Sequence, residues 1–470
     1  MARPLMSWCR RWALVLLAVT LVGCASSTRP WINAPLVDGV VPPDPDRVGA
    51  VVGIASEDPS MMVAVTLSGG GARAAAFGYG VLQTLHQTPL VTKGRQVSLL
   101  DHVNFVSGVS GGSIVAAYYA AFGAETFERF EPEFLRQNFQ DSLISLALNP
   151  VNLIELSSPW FGRSQLLERR LAELYRGKTF SDVWDRPGRP RLLISATDLS
   201  LGASFDFSWN QFSLICSDLA SVPLSFAVAS SSAVPLVLSP VTVKNYAGSC
   251  KPPDAIDPPP TDTSGSYRTR LFLSQLNSYQ DATTRPYIHL VDGGVADNLG
   301  LRSLLDRSMS AGGIRRTLGD LPRGSVRKLV LIAVNAERDP SARIDESDKV
   351  PSTLQVVDAM LFGTGARATQ ETLGLLRDTA RQWQRELDND TGKSAFAEDA
   401  ELYVINVNLR DAPEAAERSR LLQIPTAFSI HPDDVTRLIA AGRQVLQASP
   451  QFQKLVGSLP SAAAQPASPP

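Results

Sequence analysis

"MMVAVTLSGGGARAAAFGYGVLQTLHQ", Met61 to Gln87, sets out the grammar by which the rest of the chain is read. Met61 to Leu67 is an apolar, β-branched run of strand length, and from Ala74 onward the apolar residues recur with helical spacing. Between them stand Gly69, Gly70 and Gly71. A glycine inside regular structure costs roughly 0.5–1 kcal/mol relative to alanine, so three in a row mark a bend or a binding surface. Strand, glycine turn and helix return in "HVNFVSGVSGGSIVAAYYAAF" (102–122) and in "PYIHLVDGGVADNLGLRSLL" (286–305). "RPRLLISATDLS" (189–200), "VRKLVLIAVNA" (326–336) and "ELYVINVNL" (401–409) supply further strands. Strands alternating with helices predict an α/β fold, a three-layer α/β/α sandwich with a mainly parallel central sheet.

The 470 residues, 44% of them hydrophobic, are ample for a packed core. A net charge of -2 without any long run of like charge leaves no electrostatic footprint for nucleic acid. The main folded unit is expected over 61–335, with an extension of helices and a strand over 336–457 packed on it and a disordered tail over 458–470. Residues 123–185 read as mostly helical, "SQLLERRLAELYRG" (164–177) being the most amphipathic piece. The stretch from Cys250 to about Arg285, with its proline-rich "KPPDAIDPPPTDTSG", reads as a surface loop. Residues 351–387 predict one or two long helices broken near Gly363 and Gly365, and "HPDDVTRLIAAGRQVL" (431–446) a helix capped by its aspartates.

The N-terminus predicts export. Arg3, Arg10 and Arg11 precede an apolar stretch, Trp12 to Val22, that is too short to span a membrane, which reads as a signal peptide over 1–23. "LVGC", Leu21 to Cys24, resembles the bacterial lipobox. That resemblance implies cleavage before Cys24, acylation of Cys24, and stable attachment to the envelope through several acyl chains. Ala25 after the cysteine implies the outer membrane. An ordinary signal peptide with an incidental cysteine is the alternative. Residues 24–60, rich in Pro, Ser and Asp, read as a tether. With Cys9 and Cys24 set aside, Cys216 and Cys250 remain, a pair available for a disulfide in an oxidising compartment or else two separate buried thiols.

Gly108-Val109-Ser110-Gly111-Gly112 matches G-x-S-x-G. Its setting between an apolar strand and a helix is that of a nucleophile elbow, where a strained turn holds the serine hydroxyl clear of the sheet. A serine needs a base. Of the four histidines, His86, His102 and His289 fall in a helix or at strands, and only His431 lies at a loop–helix junction. The stronger candidate is Asp292, which follows a strand and precedes Gly293 and Gly294, and so emerges at the C-terminal edge of the sheet beside Ser110. A carboxylate there serves equally as a helix cap, as Asp297 can. The amides of Gly69, Gly70 and Gly71 can cradle an oxyanion, with Arg73 supplying positive charge or holding the loop. No phosphate-binding signature is present, which argues against a nucleotide site.

"SGGGARA", "GVSGG" and "DGG", in that order and each at a strand end, resemble the patatin-like phospholipase family, as does "ASSSAVPLVLSPV" (229–241) between serine and aspartate. The resemblance spans roughly Val63 to Asn335. It implies that Ser110 is the nucleophile and Asp292 the base. It further implies that Gly69, Gly70 and Gly71 form the oxyanion loop with Arg73 as its basic residue, and that no metal or cofactor is needed. Ser68 and Ala74 depart from the Asp and Gly that often flank that loop. The expected activity is hydrolysis of a lipid or phospholipid ester. A Ser-His-Asp esterase using His431 and a non-catalytic lipid-binding lipoprotein are the alternatives.

Overall fold

The computed structural model describes residues 28–40, 60–184, 190–251, 266–319, 321–338, 364–390 and 392–460, with isolated positions between them (188, 345, 347–352, 355, 356 and 359). The signal peptide, Cys24, most of the proline-rich insert, Gly363 and the tail beyond 460 lie outside the described residues.

In chain order the strands are β1 (Met61–Leu67), β2 (Pro89–Thr92), β3 (Arg95–Ser98), β4 (Val103–Val109) and β5 (Arg191–Asp198), followed by β6 (Ala203–Phe207), β7 (Val241–Lys244), β8 (Tyr287–Val291), β9 (Val326–Asn335) and β10 (Phe396–Asn408). β10, β9, β1, β4 and β5 lie side by side in that order, all parallel. β6 and β8 each pair antiparallel with β5, and β7 pairs antiparallel with β8. β2 and β3 form a separate hairpin. The principal helices are α1 (Gly71–Gln87), α2 (Gly111–Phe122), α3 (Phe139–Leu148), α4 (Pro150–Glu155), α5 (Arg163–Tyr175) and α6 (Leu224–Ser231). They continue with α7 (Tyr267–Ser278), the single turn α8 (Gly294–Asp297), α9 (Arg302–Ser310), α10 (Thr364–Asp388) and α11 (Pro432–Ala448).

The strands alternate between two cores, as their period of two requires. Val63 and Val65 of β1, Val330 and Ile332 of β9 and Tyr403 and Ile405 of β10 pack with α1, α2, α5, α6 and α11. Leu331 and Ala333 of β9 face the other way, with Met62, Ala64, Leu402 and Val404, toward Leu305 of α9 and Leu376 and Trp383 of α10. The sandwich therefore has three layers, and near-continuous apolar runs such as "MMVAVTL" are what strands covered on both faces require.

The sheet continues past Asn335. β10 pairs with β9 along its length and α11 packs on α1 through Gly80 and Gly442, so the extension is part of the sandwich. The expected tether is partly a docked arm. Trp31 packs on Phe226 with ring centroids 4.5 Å apart, and the Asn33 amide donates to Ser217 Oγ (2.7 Å) and the Lys244 carbonyl (2.9 Å). One aromatic anchor and one satisfied amide override a loop-like composition. The stretch read as a loop from Cys250 to Arg285 contains α7, capped by Ser266 and held by the Arg268–Asp306 ion pair. It buries no side chain, which is why its sequence carries little helical patterning. α10 begins at Thr364, between the two glycines at which a break was expected, and Gly365 lies in its first turn. α11 is capped by His431, whose Nδ1 accepts from the Asp433 amide (3.3 Å), while the aspartates occupy the first turn. Cys216 and Cys250 are joined in a disulfide, their Cα atoms 5.5 Å apart.

Candidate active site

β4 ends at Val109, opposite Ser195 of β5, and β8 ends at Val291, opposite Thr197. β6 holds the other edge of β5 from Ile194 to Asp198, so β4 and β8 share one edge and run toward each other. Ser110 and Asp292, the next residue of each, converge on Ala196. Asp292 was expected at the end of a parallel strand; it arrives on an antiparallel one, end to end with the strand of Ser110. The outcome is one hydrogen bond: Ser110 Oγ donates to Asp292 Oδ2 at 2.7 Å.

Ser110 sits at φ 48°, ψ −122°, a left-handed conformation that a side-chain-bearing residue adopts only under constraint. Two contacts supply it. The Ser110 amide donates to Ser231 Oγ (2.8 Å), whose own hydroxyl donates to the Ser195 carbonyl (2.6 Å), and the Ser110 carbonyl accepts from Ser113 Oγ (2.6 Å). Gly111 is required by proximity, since a Cβ there would stand 2.0 Å from the Gly71 carbonyl oxygen. The elbow and the triple-glycine loop are thus in backbone contact.

Asp292 serves as cap and as acceptor at once. Oδ1 accepts the Gly294 amide (2.8 Å), Oδ2 takes the serine hydroxyl, and Thr197 Oγ1 donates to the Asp292 carbonyl (2.9 Å), fixing the backbone beneath it. Burial raises its pKa from 3.8 to about 6, against the lowering effect of the bonds from Ser110 and Gly294. Asp297 is a cap alone, accepting from the amides of Leu299 (3.2 Å) and Arg302 (2.6 Å) at the start of α9.

In the glycine loop, the Gly69 amide donates to the Asn298 carbonyl (2.9 Å) and the Ala72 amide to the Ala427 carbonyl (2.7 Å). The amides of Gly70 and Gly71 between them donate to no atom among the described residues. Gly70 has φ 140° and Gly71 φ 61°, values that turn the chain sharply at the start of α1. Of the three predicted glycines, two therefore offer donors and Gly69 provides the close approach to Asn298. Arg73 is buried beneath Gly70. Its Nε donates to the Ala336 carbonyl (2.9 Å), Nη1 to the Ile424 carbonyl (2.6 Å) and Nη2 to Thr426 Oγ1 (3.3 Å). Burial and then the nearby Arg338 bring its pKa down to about 9, so it stays charged at neutral pH. Of the two roles considered for Arg73, holding the loop is the one its contacts express.

Ser110, Asp292, Gly70 and Arg73 line one small cavity of about 50 Å³, walled by Val234, Pro235, Val295, Asn298 and Thr426. No histidine lines it. His431 borders a separate groove, His289 bonds Thr242 (3.1 Å), His102 bonds Thr92 (3.0 Å), and His86 stacks on Phe127. Among the described residues no cluster of His, Cys, Asp and Glu could hold a metal ion. Sequence reading missed Ser231, Thr197, Asn298 and Thr426. Ser231 leaves a trace as the middle of three serines within an apolar helix end; the other three have no local signal, because their partners, the Asp292 carbonyl, the Gly69 amide and the Arg73 side chain, are distant in sequence.

A search of curated protein sequences returned no significant match. Among solved structures, the chain is similar to human GIVD cytosolic phospholipase A2 at 14% identity and TM-score 0.48, covering 86% of this chain and 62% of that one. It thus spans about three fifths of the human chain. It is also similar to VipD from Legionella pneumophila at 13% identity and TM-score 0.31, covering 85% and 67%. The sequence profile described as patatin-like phospholipase matches residues 65–305, just over half of the chain and the whole stretch that carries the elbow, the glycine loop and Asp292. With its glycine loop, serine elbow and aspartate all falling inside that match, the chain belongs to the patatin-like phospholipase family.

Proposed function

We propose that this protein is a serine acyl hydrolase of lipid esters that works through a Ser110–Asp292 dyad. The observation that supports it most is the 2.7 Å bond from the Ser110 hydroxyl to a buried carboxylate poised near neutral pH. Asp292 takes the proton as Ser110 Oγ attacks the ester carbonyl, and the amides of Gly70 and Gly71, with the N-terminus of α2, stabilise the oxyanion. As the tetrahedral species collapses, the carbon–oxygen bond of the alcohol breaks and Asp292 returns the proton to the leaving oxygen. Water, deprotonated by the same carboxylate, then attacks the acyl-enzyme; the acyl–Oγ bond breaks, Asp292 returns the proton to Ser110 Oγ, and a fatty acid leaves. A cavity of about 50 Å³ accommodates the reacting carbonyl and a water, so an acyl chain runs outward along Val234, Pro235 and Val295.

Attachment to the envelope through an acylated Cys24, in the outer membrane, belongs to the same reading. It is supported by the basic, apolar and "LVGC" segments of the first 24 residues. Among the described residues no helix is long and apolar enough to cross a membrane. Fluorophosphonate labelling followed by mass spectrometry tests the chemistry. Modification at Ser110, absent in Ser110→Ala, is expected; a folded protein that takes no label would make it a lipid-binding module. Palmitate incorporation that persists in Cys24→Ser would overturn the anchor.

A further inference from the structure

Beyond Phe139 and Leu143, which pack on the core, α3 and α4 turn apolar side chains to the outside. From Gln140 to Ser157 the one buried side chain is Asn152, while Ile144, Leu148, Val151 and Leu153 are 50%, 68%, 65% and 51% exposed. A surface helix in water normally buries its apolar stripe. α3 is anchored to the core by Phe139 and Leu143 alone, and polar bonds to α5, Arg170 to Ser142 Oγ (3.2 Å) and Arg169 to Asn152 Oδ1 (3.0 Å), hold the rest, which leaves these four apolar side chains outward. Trp160, 47% exposed, extends the patch.

Two connections give the patch its direction. Thr28 accepts a hydrogen bond from Ser158 Oγ (2.7 Å) at its carbonyl, and the Arg29 guanidinium lies 4.2 Å from the centre of the Trp160 ring. The chain preceding Thr28 therefore begins at this patch. From Cys24 to Thr28 is four residues, which span at most about 14 Å by any path. On the other side, Arg163 Nη2 donates to the Leu236 carbonyl (2.7 Å), and Leu236 and Val237, 58% and 57% exposed, directly follow the Val234 and Pro235 that wall the catalytic cavity. Thr28 and Arg29, Ser158 and Trp160 after the apolar helices, and Arg163 with the cavity lip follow one another through these contacts.

We propose that this run, α3, α4, Trp160 and the Leu236–Val237 lip, is the surface on which the protein lies against a phospholipid bilayer, the same one that holds Cys24. The proposal rests on the acylation reading for its geometry. Apolar side chains enter the acyl boundary, Trp160 sits at the interface, and Arg29 and Arg163 meet lipid phosphates. The cavity lip then opens at the level where the ester bonds of that bilayer lie.

The test uses the full chain carrying a single added cysteine, labelled with a fluorophore, at Leu148→Cys, Val151→Cys or Val237→Cys, with Asp399→Cys at the opposite end of the sheet as control. The probe is vesicles of phosphatidylethanolamine and phosphatidylglycerol whose acyl chains are brominated and quench only dyes that enter the hydrocarbon. Fluorophosphonate labelling of Ser110 verifies that each variant is folded, and a second site replaces any that is not. Quenching at the three apolar positions and not at Asp399 is expected. No quenching at these positions, equal quenching at all four, or burial of the dyes without quenching, as packing against a second copy would give, overturns the proposal. If Cys24 carries no lipid, quenching on addition of vesicles still upholds the face and its absence refutes it, so the two failures are read separately. Val151→Asp combined with Leu148→Asp is expected to weaken vesicle binding by about tenfold or more, the loss of two apolar side chains from the interface.

Discussion

Asp292 divides its two oxygens between structure and chemistry, and the division sets its response to pH. Burial raises its pKa to about 6, so the carboxylate able to accept the serine proton forms as pH climbs through 6. Esterase kcat/KM is expected to rise across that range and level off above it. Stability runs the other way. The folded state holds this proton more tightly than the unfolded chain, so its stabilisation is complete below about pH 4 and is lost as pH rises through 6. Asp292→Asn, which removes the buried charge, should therefore be inactive yet more stable than the native protein at pH 8, by about 1–3 kcal/mol, the gap closing toward pH 4. Urea midpoints at the two pH values check this. His431→Ala should keep hydrolysis of a short nitrophenyl ester within about twofold, because His431 caps α11 beside a different groove; loss of activity would return the triad to consideration. Ser110 and Asp292 were legible because each stands at a strand end directly before a pair of glycines. Ser231 and Thr197 were not, since a hydroxyl that bonds a distant carbonyl leaves no periodicity behind.

At the scale of elements, the sequence conveyed which segments are strands better than which way they run. "PYIHLV" reads as a strand, but its pattern carries no sign of direction, and the short β6 and β7 escaped the sequence reading altogether. β6, β7 and β8 are the antiparallel part of the mainly parallel sheet, and the reversed direction of β8 is what brings its end to the end of β4. Ser231 bridges the gap where β4 leaves β5, accepting from the Ser110 amide and donating to the Ser195 carbonyl. Ser231→Ala should lower kcat about 10–100-fold with little change in KM, since it loosens the elbow without touching the substrate path, and should cost about 1–2 kcal/mol of stability. A fall in KM's favour alone, with kcat intact, would show that the hydroxyl is not positioning Ser110.

The molecule as a whole is closed by its C-terminal third. Arg73 joins the first glycine loop to Ala336, Ile424 and Thr426, and Ala427 lies against Gly71, so residues beyond the family's matched segment complete the wall of the cavity. Nothing in the local sequence announces these partners, which is why the reading stopped at an extension packed on a domain. Arg73→Met leaves two buried carbonyls without donors and should destabilise the fold by about 3 kcal/mol or more, with esterase activity falling alongside; Arg73→Lys, lacking the planar fork, should restore little of either. Thermal unfolding of the two variants beside the native protein decides it. One further property follows from the meeting of β4 and β8 on Ala196. The distance between nucleophile and base is set by the register of two strands on a third, and not by their separation of 182 positions along the chain. The proline-rich insert between Lys251 and Ser266, which supplies no strand of that register, can lengthen or shorten while the hydroxyl stays within reach of the carboxylate.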